Sequence, residues 1–315
     1  MGTYIAKRVV LLVVIVFFVS VAAFFLVHLL PGNPAVAILG PNDTPQNAAI
    51  LNHQLGLDKP LAEQYFIWIG HVFSGNLGQS FTTHQTTSSI IAESFPIDIE
   101  LIIFSQILAF AAAFPMAMKA SRKPNKAFDQ AANSTTFGML ALPPFVIAPV
   151  LVLLLAVHWH IFPGPASYVP LTQNLWTNLH AMLLPAIVLA MGSVVVYFRL
   201  LRNDLISTLQ EDFITMARSK GLSDRRIMWR HALRPSSISM LASAGVTIAG
   251  LIAGTFVVEL LLQMPGLGYQ LVESIYTDDY TVVQGITLVV AVAVVLINFI
   301  FDFIFTIVDP RIARE

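Results

Sequence analysis

Apolar residues in this chain come in long blocks rather than in the short alternations of a half-buried strand. Six blocks reach the roughly 20 residues that a helix needs to cross the hydrocarbon of a bilayer: 9–30, 96–118, 135–159, 182–201, 238–262 and 282–308. The longest polar stretch, 31–95, separates the first two; it opens with the turn signal Pro31-Gly32-Asn33-Pro34. Beyond Asp58-Lys59-Pro60, the residues Leu61, Tyr65, Phe66, Trp68, Ile69, Val72 and Phe73 recur at mostly helical spacing. They predict a short amphipathic helix, lying on the membrane or on the rest of the protein. The first block is long and is followed by no small-residue cleavage site, so it reads as a retained helix rather than a signal peptide. Pro115, Pro143 and Pro144 are candidates for bends in their spans.

Composition agrees with lipid as the solvent. The chain of 315 residues is 56% hydrophobic and 11% charged, against about 25% charged in an ordinary soluble domain. The expected fold class is therefore an all-α membrane protein of six transmembrane helices. Cysteine is absent, which excludes a disulfide framework and thiolate metal sites. Net charge is −1, too small to mark a nucleic-acid surface. Its distribution is far more telling. Of the 17 Lys and Arg, all but Lys59 fall before the first block, between blocks two and three, at the end of block four or in the loop that follows it, or after six. The positive-inside rule then puts both termini and these loops in the cytoplasm, and 31–95 outside.

The loop between the fourth and fifth blocks carries the most chemistry. Leu209, Phe213 and Met216 stand at i, i+4 and i+7, one apolar face on a short helix. Glu211 and Asp212 precede Arg218 and Lys220, the charge order that suits the helix dipole. Gly221 is a natural stop because it accepts a left-handed backbone without steric cost. Ser223 reads as the N-cap of a second helix. Such a loop either touches lipid head groups or docks its apolar face against a partner.

Asp212-Phe213-Ile214, Ala217-Arg218, Lys220-Gly221-Leu222-Ser223 and then Arg230-His231-Ala232-Leu233-Arg234 resemble the so-called EAA loop of ABC importer permeases of the dipeptide/oligopeptide family. Family members usually follow that last Arg with Asn and place a Pro later, whereas here Pro235 follows directly. The resemblance continues in colinear order. It takes in Leu30-Pro31-Gly32-Asn33-Pro34, Leu55-Gly56-Leu57-Asp58, Gly75-Asn76-Leu77-Gly78, Glu100-Leu101, Leu142-Pro143-Pro144-Phe145, Pro265-Gly266-Leu267-Gly268, Asp279-Tyr280 and Asp309-Pro310-Arg311. It implies the type I ABC importer permease fold, with an extracytoplasmic segment between helices one and two. It divides the chain into 1–95, a transmembrane domain 96–308 with a coupling loop at about 203–235, and a tail 309–315. It also implies a bacterial or archaeal cytoplasmic membrane, with several partners: a second homologous permease, two ATPase subunits or domains and an extracytoplasmic binding protein. ATP and Mg would be held by the ATPases, and this chain would bind no cofactor and catalyse nothing. The residues so implied for ATPase coupling are Glu211, Asp212, Phe213, Met216, Ala217, Arg218, Lys220 and Gly221.

Five residues are candidates for translocation or packing. Glu100, Glu259 and Asp302 are ionisable groups inside apolar blocks, where they serve substrate or proton contact, or act as hydrogen-bonded links between helices. Gly250 and Gly254, with Ala249 and Ala253, give the fifth block a small-residue face, expected to pack against its own bundle or the partner permease. The pair His158 and His160 is placed i, i+2 on a helix and points apart, which argues for an interfacial pair rather than a metal site. Short peptides are the expected substrate, with glutathione, nickel chelates or another small solute as alternatives in the same family. From another class, an ATP-independent secondary transporter needs a complete pathway with paired discontinuous helices, and no two halves are visible. An intramembrane hydrolase needs a His-Glu-x-x-His run or a matched Ser/His pair, and neither is present. No phosphate-binding Gly-x-x-x-x-Gly-Lys-Ser/Thr run occurs either.

Overall fold

With no water to satisfy backbone amides in hydrocarbon, helices are the direct way across, and among the described residues helices predominate. A computed structural model describes residues 2–29, 39, 44–54 and 57–308. The turn at Pro31–Pro34, the Leu55-Gly56 pair and the tail 309–315 lie outside the described residues. The elements are α1 (Gly2–Leu29), α2 (Pro45–Gln54), α3 (Leu61–Phe73), α4 (Thr87–Arg122), α5 (Ala127–Ala141), α6 (Pro144–Leu151), α7 (Leu175–Thr208), α8 (Asp212–Ser219), α9 (Leu233–Leu262), α10 (Leu267–Tyr276) and α11 (Tyr280–Val308). Helix α6 continues as a wide π turn, Val152–His158, and α9 is entered through a helical turn, Asp224–Arg226, and a second π turn, Ile227–Ala232.

Among the described residues, five helices are long and apolar enough to cross a membrane, and the number rises to six if α5 and α6 form one span. Those two are bent by 102° at Leu142-Pro143. The span expected over 135–159 is thus a bent pair, with its break where Pro143 and Pro144 were expected to bend it. Pro143 disfavours helical geometry in Leu142, and Leu142 is indeed extended, with φ −102° and ψ 114°. The second span also begins earlier than its apolar block, at Thr87 rather than Pro96.

The chain divides into two units, the first gathering residues up to Asp98 with Pro265–Ile300, the second Ile99–Met264 with the helix end from Phe301 onward. In the first, α3 packs on α1 as an aromatic seam. Tyr65 shares a 2.8 Å hydrogen bond with Ser20 and stands edge-on to Phe24, while Trp68 leans on the same ring. The amphipathic helix after Lys59 is therefore present and rests on the protein. Two buried carboxylates tie this unit together. Asp98 accepts from the backbone N–H of Leu267, at the start of α10, and Asp279 accepts from Ser80 Oγ at 2.5 Å and Thr82 Oγ1 at 3.2 Å. The segment 76–86 is thereby fixed at the start of α11. At its turn Gly78 takes φ +88° and lies against Thr281, where a Cβ has no room.

In the second unit α4 contributes a ladder of fully or nearly fully buried Ala109, Ala113, Ala117 and Ala120, which lets α7 approach with Tyr197, Phe198, Leu201 and Leu205. Small residues facing large ones give close helix contact where apolar burial from water cannot drive it. Phe110 stacks on Tyr197 with centroids 4.8 Å apart, and the Tyr197 hydroxyl donates to Gln106 Oε1, whose amide donates in turn to Ser193.

Candidate functional site

The loop after α7 folds as α8, eight residues with Glu211 at its N-cap position. The carbonyl of Glu211 accepts from Ile214 and Thr215, while its side chain makes no capping bond. At the other end Gly221 takes φ +77°. Its N–H bonds to the Arg218 carbonyl at 2.9 Å, and the Leu222 N–H reaches the Ala217 carbonyl at 3.3 Å. This paired arrangement around a left-handed glycine is the Schellman stop, with apolar Leu222 and Ala217 brought together. Ser223 sits at the N-cap position of the next turn without a side-chain capping bond, its carbonyl receiving Ile227. The expected cap is therefore supplied by backbone alone. Arg218 lies 3.7 Å from Asp224 in an exposed ion pair, worth little in water.

The apolar pattern of α8 divides between two faces. Ile214 is fully buried and Ala217 is 7% exposed, and both join the core of Leu205, Ile227, Met228 and the alanine ladder. Phe213 and Met216, three apart, are 46% and 59% exposed. Leu209 precedes the helix and is half-buried against the core, so it does not extend the Phe213–Met216 face as its spacing suggests. The helix is held from beneath by one pair and presents the other to solvent. Of the remaining coupling candidates, Lys220 closes the last turn and Asp212 opens the first.

Glu100 and Glu259 are both buried, on α4 and α9. Glu100 Oε2 accepts from the Tyr168 hydroxyl at 3.2 Å, and the Asn178 side chain stands within interaction range of the same carboxyl. Asn178 donates to the Val169 carbonyl at 2.9 Å. Glu100 Oε1 and Asn178 Oδ1 have no hydrogen-bond partner among the described residues. Burial first, and the neighbouring carboxylate second, pushes the Tyr168 phenol up to about 12, so it stays a donor. Counting 1.5 Å per residue, Glu100 lies about 28 Å along α4 from Lys119, and Asn178 about 32 Å along α7 from Arg199. The two therefore sit at matching depth, a membrane's thickness from the basic end. Glu259 is fully enclosed three residues before the end of α9. Asp302 lies within α11, and its side chain falls outside the described set.

The small-residue face of α9 does not supply the closest helix approach. A Cβ on Gly250 would meet no atom within 4 Å, and one on Gly254 would make ordinary contacts with Leu251 and Leu189. The tight position is Gly245, where a Cβ would fall 2.7 Å from the Phe301 ring. Sequence reasoning also passed over Asp129 and Arg202. Arg202 donates through two nitrogens to the two oxygens of Asp129, both at 2.5 Å. The backbone N–H of Asn125 and the Asn133 amide complete the carboxylate's shell. An Arg among the many Arg that flank the apolar blocks carries no mark of its partner, and Asp129 in a polar connection looks like a solvated charge.

Comparison with known proteins bears on the whole chain. Residues 106–314 match the family described as binding-protein-dependent transport system inner membrane component, and residues 1–102 match its N-terminal membrane component. The chain is 34% identical to the dipeptide transport system permease protein of Lactococcus lactis subsp. cremoris, over 99% of both chains. It is 30% identical to the oligopeptide transport system permease protein of Bacillus subtilis, over 99% of both. It is 31% identical to the dipeptide transport system permease protein of Escherichia coli, over 94% of both.

Proposed function

Because this chain belongs to the family of binding-protein-dependent transport system inner membrane components, we propose that it forms half of the pathway of an ATP-driven importer of short peptides. It is a multi-pass protein of an inner-membrane transport system. In this reading an extracytoplasmic binding protein delivers the peptide, a second homologous permease supplies the other half, and two ATPase subunits carry ATP and Mg on the cytoplasmic side. The chain itself performs no chemistry. Its termini and α8 face the cytoplasm, as the basic residues require. Residues 1–95 supply the first span and the extracytoplasmic segment, and 96–308 the translocation domain.

The observation that carries the reading is α8: a short helix anchored by Ile214 and Ala217, with Phe213 and Met216 left exposed. An apolar pair on a well-formed cytoplasmic helix fits insertion into a groove of a partner. At the opposite end of the bundle, Glu100 and Asn178 keep buried acceptor oxygens without a partner among the described residues, which an opening of the pathway would present to the ammonium group of an arriving peptide. The open face at Gly250 suits close approach of the partner permease.

The test is affinity isolation of the tagged chain from gently solubilised native membranes, with mass spectrometry of what accompanies it. Recovery of a second permease and of ATPases bearing phosphate-binding loops, lost on Asp212→Lys with Gly221→Val, supports the reading. Recovery of the chain alone, transporting in liposomes without ATP, overturns it.

A further inference from the structure

Three basic residues at one end of the second unit do more than obey a topology rule: all three hold α5. Lys119 of α4 places Nζ 4.1 Å from the centroid of Phe128. Arg199 of α7 lies 4.4 Å from the centroid of Phe137. Between them Arg202 grips Asp129 with both arms of its guanidinium. The carboxylate is 1% exposed and receives four donors: two from Arg202, one from Asn125 and one from Asn133. A fully satisfied, forked pair of this kind fixes orientation as well as distance.

Its position gives the pair a task. Arg202 lies six residues before the end of α7, which leads through Leu209–Glu211 into α8. Ile214 and Ala217 of α8, Leu201 and Leu205 of α7 and Ala132 of α5 belong to one buried cluster. Thr208 accepts from Ser236 at 2.8 Å, tying the end of α7 to the start of α9. A displacement of α8 has no slack to absorb it before it reaches α5, since packed interiors shift between discrete arrangements rather than deforming. Helix α5 in turn leads to the 102° break and α6, where Pro143 and Pro144 leave the chain without amide donors.

We propose that the Asp129–Arg202 pair is the joint through which movement of α8 is passed to the broken pair α5–α6, making both positioning residues for transport. This rests on the importer reading above. The joint differs from a plain structural pair in what its loss does: hydrolysis by the ATPases continues while transport falls behind.

The experiment measures ATP hydrolysed per peptide imported, using the complete transporter in proteoliposomes with wild-type chain, Asp129→Asn, Arg202→Lys and the reversal Asp129→Arg with Arg202→Asp. The expected result is a ratio raised about tenfold in Asp129→Asn, a smaller rise in Arg202→Lys, and a ratio still raised in the reversal, because an arginine at position 129 would leave the Asn125 and Asn133 donors without their carboxylate acceptor. Arg202→Lys keeps the charge and loses only the fork, so it answers the question even where Asp129→Asn yields no assembly. An unchanged ratio in Arg202→Lys, or transport and hydrolysis falling in parallel, overturns the joint and leaves the importer reading in place. Wild-type transport that needs no ATP overturns the importer reading, and the joint with it.

Discussion

Helices α3 and α8 lie outside the long spans, are short and amphipathic, and yet are held in opposite ways. Helix α3 rests by Tyr65, Phe24 and Trp68 on α1, with Phe66 and Phe73 exposed. Helix α8 is rooted by Ile214 and Ala217 in a core shared by α4, α5 and α7. Aromatic side chains spread contact along one neighbour, and small or β-branched ones let a helix sink among several. A helix fixed to a single span rides with it; one rooted in a multi-helix core acts as a lever on all of them. On the proposed reading, that difference separates an accessory element from a transmitting one.

The comparison is broken most directly at the exposed pair. Phe213→Asp with Met216→Lys should abolish recovery of the ATPases and ATP-driven uptake. The melting temperature of the detergent-solubilised chain should stay near wild type, because exposed substitutions cost within about 0.5 kcal/mol. A collapse in melting temperature would mean that these two side chains support the fold. The root of the lever is tested by Ile214→Ala, expected to destabilise by about 2–5 kcal/mol, as other truncations of fully buried aliphatic residues do, read by thermal unfolding. Gly221→Val forces a branched side chain into the left-handed region, at about 1–2 kcal/mol, and should lower uptake several-fold by loosening the end of α8. On α3 the effect should be smallest. Tyr65→Phe removes the bond to Ser20, worth about 1 kcal/mol, and should leave ATPase recovery unchanged.

How far the sequence displays this molecule depends on the range of the physics involved. Hydrophobic blocks and basic flanks are local quantities, so five spans, α3 and α8 are legible, as is the stop at Gly221. The bend at Leu142-Pro143 is signalled by its prolines, but its 102° angle is not: α5 packs on α7, and α6 on α7 and α9. Periodicity finds apolar positions on α8 without saying which pair faces the core; that Ile214 and Ala217 do so depends on helices far away in the chain. Pairings such as Asp129 with Arg202, or Asp279 with Ser80, join residues far apart in the chain. Nothing in either residue's neighbourhood announces the other. Gly245 is likewise tight only because Phe301 arrives from a different helix.

The most direct test of the account is uptake of a radiolabelled dipeptide into proteoliposomes containing the assembled transporter, with the binding protein outside for delivery and ATP supplied to the ATPase side. The account predicts accumulation that requires ATP and the binding protein, and that disappears with Phe213→Asp and Met216→Lys while the chain remains folded in the membrane. Equal accumulation without ATP, or unchanged uptake by the double variant, would contradict it.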